Sequence, residues 1–409
     1  MFLIVAAMPS VVQASDGEPP MMSATDVSGV AKIGRLQRRI QRWEGADHDR
    51  VGALSDYSRF KQSVKKATGL SWSMPVSYLQ QWGLPDGGRS AGQLLATPGL
   101  DWELFRSRTF GTASLQFAYT LVDYPWRQTG ASIADHLGVI AEINDFPGND
   151  ENSFDQLSYT QTFPGNKLLL TIGQYPLSNF DDNQYLADQQ QNFNNLLFTQ
   201  NGSQTYPVAG LGAYAQVNIT RTIQLAAGVQ NATDIAGTNL SSDGLSGQST
   251  AWFAYAQWMP KLHGLGEAQY GFAYFDVPAV PEQPKRSTSW SFNAVQHLND
   301  TWAIFGRANG AWGYQTPIQG SYVIGAAMND PLGRSTMDQV GFAMGYARAA
   351  DPPAKAPGTR SETVVEAYWN WRPFDGLLLT PDVQYIGNPA NGTGRDGAWI
   401  WSLRTTLLF

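Results

Sequence analysis

The chain of 409 residues contains no cysteine, so disulfides, thiolate metal sites and a cysteine nucleophile are all excluded. Histidine is scarce. His48, His136, His263 and His297 lie far apart, and none stands three or four residues from another, as a helical metal pair requires. No metal or other cofactor is expected. Charged residues make up only 15%, and the net charge of −7 argues against a nucleic-acid partner, whose phosphates demand a basic surface. Long apolar runs are also missing beyond the N-terminus: mean hydropathy is −0.28, and a spanning helix needs about 20 apolar residues in succession. A helical membrane protein is thereby excluded.

Glycine, in contrast, reaches 41 residues and aromatics 12%, with 14 tryptophans. That mixture suits many strands and tight turns with aromatic side chains at a membrane interface. A barrel also accommodates the length in one domain, because its chain grows with strand number rather than with core volume. Charge is unevenly placed: residues 67–409 carry 17 Lys and Arg against 27 Asp and Glu, which favours neutral or cationic solutes over anions.

The opening Phe2-Leu3-Ile4-Val5-Ala6-Ala7-Met8, then Val12-Gln13-Ala14, has the apolar core and small-residue cleavage site of a secretory signal, though without a basic n-region. Residues 1–14 are therefore expected to be a signal remnant. Over 27–43, Val30, Ile33, Leu36, Ile40 and Trp43 recur at helical spacing opposite Lys32, Arg35, Arg38, Arg39 and Arg42; this predicts a basic amphipathic helix on the periplasmic side. It could dock an acidic partner, plug the barrel or simply pack on a rim. Residues 44–68 have little period of their own, so 15–68 divides into that helix and a polar linker.

From residue 69 onward the period changes to two. Leu115, Phe117, Tyr119 and Leu121 alternate with polar or small residues, as do Leu211 to Ile219, Ile223 to Val229, and the closing Trp399, Trp401, Leu403, Leu407 and Phe409. Apolar outside and polar inside is the pattern of a lipid-facing strand around a wet lumen. Further strands are expected at 249–259, 267–276, 287–298, 300–309, 338–348, 362–372 and 377–387. Stretches at 69–82, 92–107, 112–122 and 134–144 compete for the remaining places. Links at 163–166, 220–221, 298–300 and 373–376 are short, and those at 176–210, 231–248, 277–286 and 349–361 are long, as periplasmic turns and outer loops should be. The fold class is all-β: a transmembrane antiparallel β-barrel over 69–409 of about 16 strands, with 18 as the alternative. Phe409, a terminal aromatic closing a strand, resembles the signal read by the outer-membrane assembly machinery.

The longest link carries Phe180, Asp181, Asp182, Asn183, Tyr185, Phe193 and Asn194. Amides and carboxylates beside aromatic faces match the hydroxyls and C–H surfaces of a sugar. The loop either folds inward to narrow the pore or lies on the surface. On the walls, Glu366, Asp382 and Arg404 fall on the lumen side of their strands; Asp382 with Arg404, and Glu366 with Arg372, are candidate pairs.

The segments Glu362-Thr363-Val364-Val365-Glu366-Ala367-Tyr368-Trp369, Leu377 to Pro389 and Leu403 to Phe409, with Gly173-Gln174-Tyr175-Pro176 upstream, resemble the carbohydrate-selective (OprB-like) porin family. The resemblance implies a sixteen-stranded, sugar-permeable porin in the outer membrane of a Gram-negative bacterium, with an eyelet of arginines, acids and aromatics. Residues 27–43 lie outside it. The expected function is passive diffusion of mono- and oligosaccharides, with neutral sugars and membrane lipid as partners and an oligomer compatible with the fold. Three rivals stand beside it: a polysaccharide secretion channel with a periplasmic partner docked on 27–43, a general porin, and an outer-membrane hydrolase. The last lacks any histidine set beside a serine and an oxyanion nest.

Overall fold

The computed structural model describes residues 53–409 apart from 85–88, 150, 239, 241–248, 282, 314–315, 336, 351–360, 375 and 392–395. The signal at 1–14 and the basic helix at 27–43 lie outside the described residues. The chain opens on helix α1 (Ala53–Thr68), inside the stretch expected to be a linker, and continues into β1 (Leu70–Ser73), β2 (Pro75–Leu84), β3 (Arg89–Ala96), β4 (Gly99–Ser107) and β5 (Gly111–Asp123). Helix α2 (Gly130–Leu137) precedes β6 (Ser153–Thr162) and β7 (Leu168–Tyr175), and the short helix α3 (Leu196–Thr199) precedes β8 (Gly210–Asn218). There follow β9 (Ile223–Asn231), β10 (Thr250–Trp258), β11 (Ala268–Val277), β12 (Ser287–His297) and β13 (Trp302–Trp312). The last five are β14 (Ile318–Asn329), β15 (Gln339–Ala349), β16 (Ser361–Phe374), β17 (Leu377–Gly387) and β18 (Gly397–Leu408).

All pairings are antiparallel, and β18 pairs with β2 from Leu408↔Pro75 to Trp399↔Leu84, closing the sheet on itself. Closure leaves no edge, the condition for a sheet to span lipid without unpaired backbone groups. The eighteen segments make sixteen wall strands. β1 pairs with β4 and β2 with β3, so β1–β2 is one strand broken at Met74; β3 and β4 both pair with β5 and form one strand broken at Thr97–Pro98. Pro98 has no N–H to give the ladder. At the other break the Met74 N–H donates to the carbonyl of Phe409, 2.9 Å, which ties the terminus to the seam.

Along the walls the two-residue period is realised. Val217, Ile223, Leu225, Trp399, Trp401 and Leu403 are exposed on the outer face, and Leu115, Phe117 and Tyr119 stand on the same face of β5. No link on the rim where Phe409 ends exceeds nine residues, whereas the opposite rim carries the three longest, of 18, 29 and 34 residues, beside shorter ones, so the first rim is periplasmic by the rule for these barrels. α1 packs on that rim. The Trp72 indole donates to Tyr57 Oη at 3.1 Å and the Trp102 indole to the Thr68 carbonyl at 2.9 Å. Gly69, at φ 75°, makes the corner between α1 and β1, where a Cβ would collide with the Glu103 carbonyl.

Two expectations are corrected. Residues 134–144 form no strand: they are the end of α2 and an irregular segment inside the barrel. β14 occupies a stretch whose glycines and alanines blur the alternation, Gly320, Gly325, Ala326 and Ala327. The lumen is also less polar than expected. Towards the outer rim the inward residues Val364, Ile386, Ala398 and Ile400 are apolar, and Ile133, Leu137, Ile140 and Ile143 from the β5–β6 link pack against them as one core.

Candidate functional site: infolded loops and the cavity beside them

Two outer loops turn back into the barrel. The first, between β5 and β6, starts with a capping box in which Thr129 and Ser132 each accept the other's backbone N–H; this saturates donors at the head of α2. Gly138, at φ 72°, then ends the helix in the left-handed conformation, which glycine adopts without penalty. Beyond it the backbone is irregular, and side chains supply its hydrogen bonds. Gln81 and Gln384 both donate to the Ile143 carbonyl, at 3.0 and 2.9 Å, and Gln93 donates to that of Phe146 at 2.6 Å. Burial lifts the Glu142 carboxyl to about 7, helped by the charges of Asp135 and Glu362. The same cause lifts Glu151 to about 8, with Asp145 and Glu142 adding repulsion.

The second loop, 176–209, carries seven of the ten expected site residues, and the structure folds it inward, where all seven are buried. Phe180 packs on Phe253 (ring centroids 4.4 Å apart) and Tyr214. Tyr185 stacks on Phe305 at 5.3 Å, and Phe193 meets Tyr368 edge-on at 4.7 Å. The Asp181 carboxylate accepts from Asn293, Asn201 and the Tyr206 hydroxyl at 2.7–3.0 Å. Asn183 holds its own turn, its side-chain oxygen accepting the N–H groups of Tyr185 and Leu186. Asp182 is buried beside it. These aromatic faces are spent on sealing the loop to the wall.

Glu366, Asp382 and Arg404 come together on adjacent strands, each at most 4% exposed. Glu366 accepts the backbone N–H groups of Asn194 and Asn195, and Arg404 donates to Asn194 Oδ1 at 2.7 Å, the Asn192 carbonyl at 3.0 Å and Asn370 Oδ1 at 3.2 Å. The two pairs expected from the sequence do not form as such. In register, Arg404 faces Thr380 and Asp382 faces Ser402. Arg372 bonds Ser335, and its N–H bonds Asp338, rather than Glu366. For Glu366 and Arg404 the reason is that the infolded loop brings unpaired backbone groups to the wall, and these charged side chains satisfy them first; Arg372 is instead taken by Ser335 and Asp338 of the β14–β15 link.

Beside the loops a cavity of about 100 Å³ remains against β3, β5 and β6, room for several waters. Its polar lining is amide, hydroxyl and acid (Thr97, Thr120, Gln156, Asn179, Gln189, Gln190, Gln200 and Gln204, with Asp145, Asp155 and Asp188), set among the apolar Leu95, Ala118, Phe146, Pro176, Ala187 and Val208, with no Lys or Arg among the lining residues. Asp155 accepts from the Thr120 hydroxyl at 2.6 Å and from that of Ser153. Sequence reasoning missed these wall residues, although Thr120 and Gln156 lie on strands it had placed or left open. Only their position opposite the loops distinguishes them from other inward-facing polar groups.

Residues 87–274 and 263–409 match the family described as "Carbohydrate-selective porin, OprB family". The chain belongs to that family. Porin AaxA of Chlamydia pneumoniae is 35% identical to this porin over 360 residues, 86% of this chain and 82% of the relative. Porin AaxA of Chlamydia abortus is 33% identical over 359 residues, covering 86% and 80%. Among solved structures, OprB of Pseudomonas putida at high pH superposes with a TM-score of 0.72 at 16% identity, covering 87% of this chain and 97% of that one, a likeness of fold. A closed sixteen-stranded barrel in this family is an outer-membrane porin.

Proposed function

We propose that this porin carries mono- and oligosaccharides by passive diffusion across the outer membrane of a Gram-negative bacterium, along the passage between the infolded loops and the β3–β5–β6 wall. The observation that carries the reading is the lining: amides and hydroxyls offer a neutral polyol both donors and acceptors, and Phe146 and Pro176 offer faces for its C–H groups. Every such contact replaces one with water, so binding stays weak, and weak binding is what conduction requires. In this reading Phe180, Asp181, Asp182, Asn183, Tyr185, Phe193 and Asn194, with Glu366, Asp382 and Arg404, shape the constriction from behind. The solute meets the amides and acids of the opposite side. Phe409 at the seam serves as the assembly signal.

The test is single-channel current in a planar bilayer with sugar titration. Glucose or maltose oligomers should reduce the current in a saturable way, and deleting the centre of the 176–209 loop should raise conductance and abolish that block. If sugars never reduce the current of the intact pore while the deletion still widens it, the channel is a general porin.

A further inference from the structure

β16 carries two inward carboxylates four residues apart, Glu362 and Glu366, both fully buried. Even spacing places them on one face of the strand, about 13 Å from each other. Each is spent on the backbone of an infolded loop. Glu366 accepts the N–H groups of Asn194 and Asn195 from the β7–β8 loop. Glu362 accepts those of Ala141 at 2.9 Å and Ile140 at 3.1 Å from the β5–β6 loop, and that of Ala390 at 3.2 Å from the β17–β18 loop. Five backbone donors from three outer loops therefore end on one strand. Irregular buried backbone must find acceptors, and a carboxylate, with two oxygens and about four lone-pair sites, takes two or three N–H groups where a neutral amide offers one oxygen.

The two large loops are also fastened to each other. The Leu196 N–H donates to the Glu142 carbonyl at 3.0 Å, the Asp145 N–H to Gln189 Oε1 at 2.7 Å, and the Thr199 hydroxyl to Asp145 at 2.8 Å. These bonds tie them into one body, which Glu362 and Glu366 hold to β16, Gln81 and Gln384 to β2 and β17, and Gln93 to β3; the cavity lies between that body and β5 and β6.

We propose that Glu362 and Glu366 are the positioning residues of the open channel: by clamping the loops to β16 they keep the β5–β6 wall clear. The proposal rests on taking that cavity as the passage, and not on which solute uses it. Released, the loops can shift into the cavity beside β5 and β6, so loss of a clamp produces intermittent closure rather than a wider pore.

Single-channel recordings of Glu362→Ala, Glu366→Ala, Glu362→Gln and Glu366→Gln in planar bilayers test this, with Asp300→Asn in a periplasmic turn as control. The alanine variants should show the wild-type open amplitude interrupted by brief closures at least tenfold more frequent than in the parent. The glutamine variants, which retain one acceptor oxygen, should fall between, and the control should match the parent. Steady wild-type current in the variants, or equal closure in the glutamine and alanine forms, overturns the proposal. Should an alanine variant not assemble, its isosteric glutamine partner carries the same test. Sugar block is read separately in the same channels, so a channel that flickers as expected but ignores sugar refutes the carbohydrate reading and leaves the clamp standing.

Discussion

Replacing Asp155 by Asn tests whether the acids beside the passage govern what crosses it. Asp155 and Asp188 are half-buried and line the cavity with the more deeply buried Asp145. Asparagine is isosteric: its oxygen can accept from one of the two hydroxyls and its NH2 can donate to the other, so the wall should keep its shape while one charge is lost. A cation about 4 Å from a carboxylate gains about 1 kcal/mol even at the dielectric constant of bulk water, and an anion loses as much. The difference of about 2 kcal/mol is a factor of more than ten in relative permeability. Screening trims it only moderately, because the separation is shorter than the Debye length of about 10 Å in 0.1 M salt. The parent channel should therefore prefer potassium to chloride, and Asp155→Asn should reduce that ratio roughly tenfold, read as the reversal potential across a salt gradient. If Asp155→Asn, Asp188→Asn and the double variant all leave the reversal potential where it was, ions do not pass beside these acids and the passage has been misplaced.

Arg404→Ala should act on stability rather than ion preference, since Arg404 is fully buried. It strands the acceptors on Asn194 and Asn192, while Asn370 keeps the Thr380 hydroxyl, at a cost of about 1–3 kcal/mol for each stranded acceptor, seen as a lower urea midpoint. Arg404→Lys should recover less than half, because an ammonium lacks the planar fork that reaches all three. The acids of the β5–β6 loop give a pH dependence. With Glu142 held at about 7 and Glu151 at about 8, the packed loop binds more protons than the released one between about pH 4.5 and 8. Its docking must weaken as pH rises through that window. Protease cleavage within 124–152 from the outer side should accordingly increase from pH 5 to pH 9; cleavage that falls or stays level over that range would contradict the assigned burial.

The alternation of Trp399, Trp401 and Leu403 with Ser402 and Arg404 was enough, from sequence, to define a lipid face and a lumen face, because the two-residue period of a strand and the cost of charge in lipid act residue by residue. Loop lengths likewise set the topology. The family segments in β16–β18 were legible for the same reason, being local. What the 176–209 loop does could not be decided locally: its Asn- and aromatic-rich sequence suits an exposed loop or an infolded one equally. Tertiary structure chose the second by supplying Phe253, Phe305 and Tyr368 as packing partners and Glu366 and Arg404 as hydrogen-bond partners from strands about 70–230 residues away. Residues 134–144 looked like a competing strand because apolar side chains alone do not distinguish lipid from a loop core. In the folded barrel Ile140 and Ile143 meet Ile386 and Ile400 instead. The same three-dimensional choice made Glu366 and Arg404 anchors of the loop, since buried backbone groups delivered by the loops take the strongest partners within reach.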